Sequence, residues 1–257
     1  MATSSKTTNR TPSGKGPPDQ QAEAGAQPDE RTLREERILD AAAALLVRWG
    51  YRRTSIDDVA REAGIGKGTI YLHWKSKNDL FRAAIWRANQ QVSEDLKQRI
   101  AADPEGGLPH RLWMHSMLAA LANPLVAAMI KGQPDLFQGL MGAFDQRARN
   151  QLVGNADTYV AQLQQAGLIR ADLPVPVITY LIAALKMGII TAPDLVGQDH
   201  LPSMEQLAQA LSDLIRRWLS PEQLPSDTTV GKQALGEWLE NVIKMEGQHE
   251  HHEHQTR

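Results

Sequence analysis

Cysteine is absent from this 257-residue chain. That removes disulfides, thiolate metal sites and thiol redox sensing from consideration. Uninterrupted apolar runs are missing too. The longest, near Met114–Ile130 and Leu181–Ile190, are broken by His115, Asn123 and Lys186, which marks buried helices and not membrane spans. The first residues lack the apolar core of a signal peptide, so a soluble, cytoplasmic protein with no membrane partner is expected. No phosphate loop, nucleophile elbow, HExxH pair or Cys/His metal framework is present; an enzyme is not expected, nor is a cofactor. No alternation is long enough to argue a sheet.

A net charge of −2 is too small to name a partner, but its distribution is informative. From Arg31 to Arg87 there are 12 Lys+Arg against 7 Asp+Glu; after Arg87 there are 13 against 19. A basic module on an acidic body is what a DNA-contacting head with a separate effector domain would show.

The most informative stretch is TSIDDVAREAGIGKGTIYLHWKSKNDL, Thr54 to Leu80. Thr54 or Ser55, with Asp57 or Asp58 behind it, forms a capping box. Ile56, Val59, Ala60 and Ala63 make one helical face, and Gly64 sits where the chain must take a positive φ to leave that helix. A second helix follows from about Lys67, with Ile70 and Trp74 apolar among polar and basic side chains. Small residues at the crossing and a basic second helix describe a DNA-binding helix-turn-helix.

Residues Thr32 to Val92 resemble the TetR/AcrR family of bacterial transcriptional regulators. Gly50, Thr54, Val59, Ala60, Ala63, Gly64, Gly68, Thr69, Ile70, Tyr71, His73, Ser76, Lys77 and Leu80 fill the family's motif positions in order. Gly66 stands where a serine usually caps the recognition helix, and Trp74 replaces the usual phenylalanine. The resemblance implies an all-α fold: an N-terminal three-helix DNA-binding domain (32–92, motif 55–74) joined to a larger helical ligand-binding and dimerisation domain (93–246). It also implies a homodimer on a pseudo-palindromic double-stranded operator, with a small-molecule effector that releases a repressor.

Outside these domains, residues 1–30 are polar and Pro/Gly-rich and are expected to be disordered. Residues 247–257 form a His-rich tail, read as flexible. A first helix is predicted over Arg31–Trp49, ended by Gly50. A long helix, Ser76–Ala101, opens on a second capping box with Asp79 and forms the mechanical link between head and body. Further helices are predicted over Leu108–Ala122, Leu125–Lys131, Asp135–Ala166, Pro174–Thr191, Met204–Leu219 and Val230–Met245, punctuated by proline and glycine.

Lys67, Thr69 and His73 are candidates for bases or nearby phosphates, with Gly66, Gly68 and Lys75 beside them. Tyr71 and Lys77 match family positions that hold the phosphate backbone, and Thr54 and Ser55 at a helix N-terminus can add a further phosphate contact. Leu207, Leu211, Leu214, Ile215 and Trp218 form a stripe suited to a four-helix interface with a second chain. Trp113, Met117, Phe137, Met141, Phe144, Tyr180 and Met187 are candidates to line an adaptable apolar pocket. The polar interruptions His115, Asn123 and Lys186 read more simply as satisfied structural or surface residues. His249, His251, His252 and His254 are weak metal candidates, because a tail lacks the surrounding groups that orient ligands. A metal-responsive regulator using them is the alternative function.

Overall fold

The computed structural model describes residues 30–131, 146–196 and 201–255, besides Met1. The expected N-terminal tail lies outside them, as do the side chains of the C-terminal histidines. Every regular element among the described residues is a helix, and the fold is all-α as predicted.

The head begins with α1 (Glu30–Arg53), which is broken at Gly50, where φ is 77°. The predicted stop is therefore real, and a short helical piece follows it. Helix α2 (Ile56–Ala63) is capped by Ser55 and Asp58 in a reciprocal capping box and ends on Gly64 in the left-handed region, φ 67°. Helix α3 (Lys67–His73) starts on Gly66, which supplies no side-chain cap. Helix α4 (Lys77–Ala102) starts on Ser76, whose hydroxyl accepts from the Asp79 amide and donates to the Asp79 carboxylate. The Ser76 hydroxyl and the Asp79 carboxylate thus cap this helix start together, as the second capping box predicts.

In the body, α5 (Pro109–Ala122) and α6 (Pro124–Ile130) are joined at Asn123 with a bend of 109°. Helices α7 (Gln146–Gln165), α8 (Val175–Val196), α9 (Met204–Leu219) and α10 (Thr229–Gln255) complete the order. Helix α10 continues ten residues beyond Met245, so the backbone through the His-rich segment is helical up to Gln255 and not a free tail. No single described helix is long and apolar enough to cross a membrane.

Three buried clusters divide the described residues. The head cluster joins Ile38, Leu45 and Leu46 of α1, Val59 of α2, Ile70 of α3, and Leu80, Phe81 and Ile85 of α4. Leu125 and Met129 of α6 belong to it as well. A second cluster packs Trp113 of α5 with α7, α8 and α9; a third joins Leu96 and Ile100 of α4 to Ala119, Leu235 and Leu239. Helix α4 therefore has one end in the head core and the other in the body core. Helix α6, which also packs on α8, is a second link that periodicity does not reveal.

The N-terminus of α10 docks on the α4–α5 corner through glycine. A Cβ at Gly107 would fall 1.9 Å from the Thr228 carbonyl oxygen, and one at Gly231 would fall 2.1 Å from that of Gly107. Only bare backbone fits there.

Candidate nucleic-acid interface

Helix α3 is held from beneath by Ile70, which is fully buried, and by His73. The His73 Nδ1 lies 2.7 Å from a Glu35 carboxylate oxygen on α1, with the imidazole almost wholly covered. His73 therefore anchors the end of the recognition helix, and its assignment to bases or phosphates is corrected. An imidazole suits either role; the inward rotation at this register decides it.

Thr54 is corrected in the same way. It is 1% exposed, and its hydroxyl donates to the Gly50 carbonyl at 2.9 Å and reaches the Leu45 carbonyl at 3.3 Å. It satisfies carbonyls freed where Gly50 breaks α1. Ser55 is half-buried, and both its amide and its hydroxyl are engaged by Asp58. Its role in this structure is capping α2.

Lys67, Gly68, Tyr71 and Lys75 are exposed, and Gly66 beside them is exposed as well. A spacing of four places Lys67 and Tyr71 on one outward stripe of α3, and Lys75 follows in the exposed turn after the extended Trp74. Thr69 is half-buried. The Lys67 ammonium donates to Asp57 at 2.9 Å, and that bond raises its proton affinity, so it is charged at neutral pH. Lys77 is half-buried, its Nζ 4.9 Å from the Tyr51 ring centroid and 5.4 Å from that of Phe81. Burial lowers its pKa. It thus packs over the base of the head as well as carrying a charge.

Leu72 was missed by sequence reasoning. It is 82% exposed on the outward face of α3, where an apolar side chain can contact a thymine methyl. The signal was available: two residues past buried Ile70 lies the opposite side of a helix.

The remaining candidates separate by helix face. Trp113 and Met117 are buried in the body. Phe137, Met141 and Phe144 lie outside the described residues. Tyr180 and Met187 are 73% and 42% exposed, on the side of α8 opposite buried Ile178, so they do not share an interior with Trp113; that assignment is corrected. Leu211 and Ile215 are buried in the chain's own core, with Leu207 and Trp218 packed partly against it. Leu214 alone of that stripe projects outward, 47% exposed. Among the described residues, no group of three His, Asp or Glu could hold a metal ion.

Residues 38–84 match the family model described as bacterial regulatory proteins, tetR family. The chain is 33% identical over 69 residues to the fatty acid metabolism regulator protein of Bacillus subtilis, a match covering 25% of this chain and 36% of that one. It is 28% identical over 147 residues to the HTH-type transcriptional regulator AcrR of Shigella flexneri, covering 54% and 67%. The chain thus spans about a third of the first of these relatives. In fold it resembles the Bacillus subtilis transcriptional regulator FadR solved with stearoyl-CoA, with a TM-score of 0.53 at 19% identity over 70% of this chain and 96% of that one. It also resembles a gamma-butyrolactone receptor, with a TM-score of 0.51 at 15% identity over 86% and 100%. Helix-turn-helix motif and family model agree over residues 38–84, which match the tetR family of bacterial regulatory proteins, and the fold resembles that of solved regulators.

Proposed function

We propose that this protein is a homodimeric, effector-responsive transcriptional repressor and not an enzyme. The observation that carries the reading is the outward stripe of α3. Lys67, Gly68, Tyr71 and Leu72 are exposed on it, with Lys75 exposed in the turn that follows, while Ile70 and His73 bind the helix to α1. A basic, partly apolar face on a rigidly held short helix suits the major groove, where lysines meet phosphates or guanine and Leu72 meets a methyl.

One such head covers only a half-site, and two on a pseudo-palindrome multiply affinity. The exposed Leu214, with Val177 and Leu181 exposed on α8, supports pairing with a second copy through the outer faces of α8 and α9. Effector response is supported by the two links from body to head, α4 and α6, and by relatives whose names record acyl-CoA and gamma-butyrolactone ligands. An effector displaces the equilibrium only by binding one state better; roughly 5.5 kcal/mol of differential affinity makes the switch nearly complete.

The test is selection of bound duplexes from a random pool by the full chain, followed by sedimentation of the complex. An enriched inverted repeat bound by two chains is expected, with Leu72→Ala altering preference at one position of each half-site. Binding without sequence enrichment would remove the regulatory reading.

A further inference from the structure

Of the three polar interruptions in the apolar body helices, two have structural partners. The Asn123 carbonyl oxygen caps α6 by accepting from the Leu125 and Val126 amides, and its amide donates to Gln91 at 2.9 Å. His115 is tied by Nε2 to Asp103 at 2.7 Å. Lys186 on α8 has no carboxylate partner among the described residues. Its Nζ faces indoles from two other helices, 5.8 Å from the Trp113 ring centroid on α5 and 6.0 Å from that of Trp238 on α10. These distances are at the outer limit of cation–π reach.

Both indoles carry buried N–H donors with no acceptor. Trp113 is only 5% exposed, so water does not reach it from outside. The Trp238 ring packs on Tyr159 of α7, 6.1 Å between centroids. Tyr159 belongs to the borders of both body clusters, which places this constellation at the seam between them. Burial raises the Tyr159 pKa and keeps the phenol neutral.

Lys186 itself retains exposed surface, yet burial is the cause that lowers its pKa. Asp157 of α7 has one buried unpartnered oxygen, and burial alone is the cause that shifts the Lys186 amine. Among the described residues, the constellation is therefore an exposed ammonium facing two indoles whose buried N–H donors have no acceptor. Buried polar groups are normally paired, and a carboxylate offers several lone pairs and the missing counter-charge.

We infer that Lys186, Trp113 and Trp238 form the head-group subsite for an amphipathic organic acid, its acid group on Lys186 and its apolar body along the indoles. This rests on the effector-binding reading above and names the chemical class of the effector.

The probes are dodecanoate and 1-naphthoate, each paired with its methyl ester, titrated into the full chain by calorimetry. At least one acid is expected to bind tenfold or more tightly than its ester. Lys186→Met should remove that preference while leaving ester affinity within twofold, and Lys186→Arg should restore the preference for the acid. Failure of both acids to bind, equal binding of acid and ester, or acid affinity unchanged in Lys186→Met would overturn the inference. A Lys186-dependent acid that leaves operator affinity unchanged would uphold the subsite and remove the effector reading. Operator release by an ester as readily as by its acid would do the reverse.

Discussion

Replacing Lys67 by alanine tests whether its ammonium holds a phosphate, with little disturbance of the fold. In the free protein its ammonium rests on Asp57, 2.9 Å away, and both side chains are exposed, at 48% and 59%. Exposed pairs contribute little to stability and yield easily, so a DNA phosphate can take the place of Asp57. Each phosphate contact changes the slope of log affinity against log salt by about 0.9, so raising salt from about 50 to about 200 mM weakens binding roughly 3.5-fold per contact and roughly 12-fold for two heads. Lys67→Ala should flatten the slope by about 1.8 for the dimer on operator and scrambled duplex alike. Asp57→Asn should leave the slope unchanged and raise low-salt affinity, because a negative charge facing the phosphates is lost. Fluorescence anisotropy of labelled duplexes across that salt range measures both. An unchanged slope in Lys67→Ala, or weaker binding in Asp57→Asn, would refute the exchange of Asp57 for phosphate.

Thr54→Val keeps shape but leaves two carbonyls without their donor, and should cost about 1–3 kcal/mol in urea unfolding. Operator affinity per folded molecule should be unchanged, whereas a phosphate contact would make it fall. Asp103, the cap at the end of α4, is buried, which raises its pKa. Hydrogen bonds from Arg111, His115 and the Glu105 amide outweigh this and hold it at about 2. Because the folded value lies below the unfolded value of about 3.9, this stabilisation is present above pH 4 and is lost as pH falls toward 2. Asp103→Asn should therefore lower the urea midpoint at pH 7 and show a shallower fall over pH 4 to 2. Leu214→Glu should reduce dimerisation in sedimentation with no change in the melting of the monomer, since its side chain projects from the core; a dimer of undiminished affinity would place the interface elsewhere.

Much of the head was legible before folding because its signals are local. The Ser55–Asp58 cap, the left-handed Gly64 and the break at Gly50 each act within a few residues, and the apolar period of α1 and α4 states which side is buried. The same reasoning placed α9 at its observed bounds. What sequence could not decide is which neighbour covers a face. The stripe from Leu207 to Trp218 records apolar character equally well for a partner chain or for the chain's own α5; packing turned Leu211 and Ile215 to α5 and left Leu214 outside. A threonine hydroxyl suits a phosphate or a carbonyl, and an imidazole suits a base or a carboxylate. The break of α1 at Gly50 turned Thr54 back on that carbonyl, and only the approach of α1 to α3 assigned His73 to Glu35. Lys186 shows the limit most plainly. Its helix identifies it as a polar interruption, but the two indoles around it come from residues 73 positions before and 52 after. Only tertiary structure, by bringing an exposed ammonium against two indoles whose buried N–H groups lack an acceptor among the described residues, gives that residue a meaning.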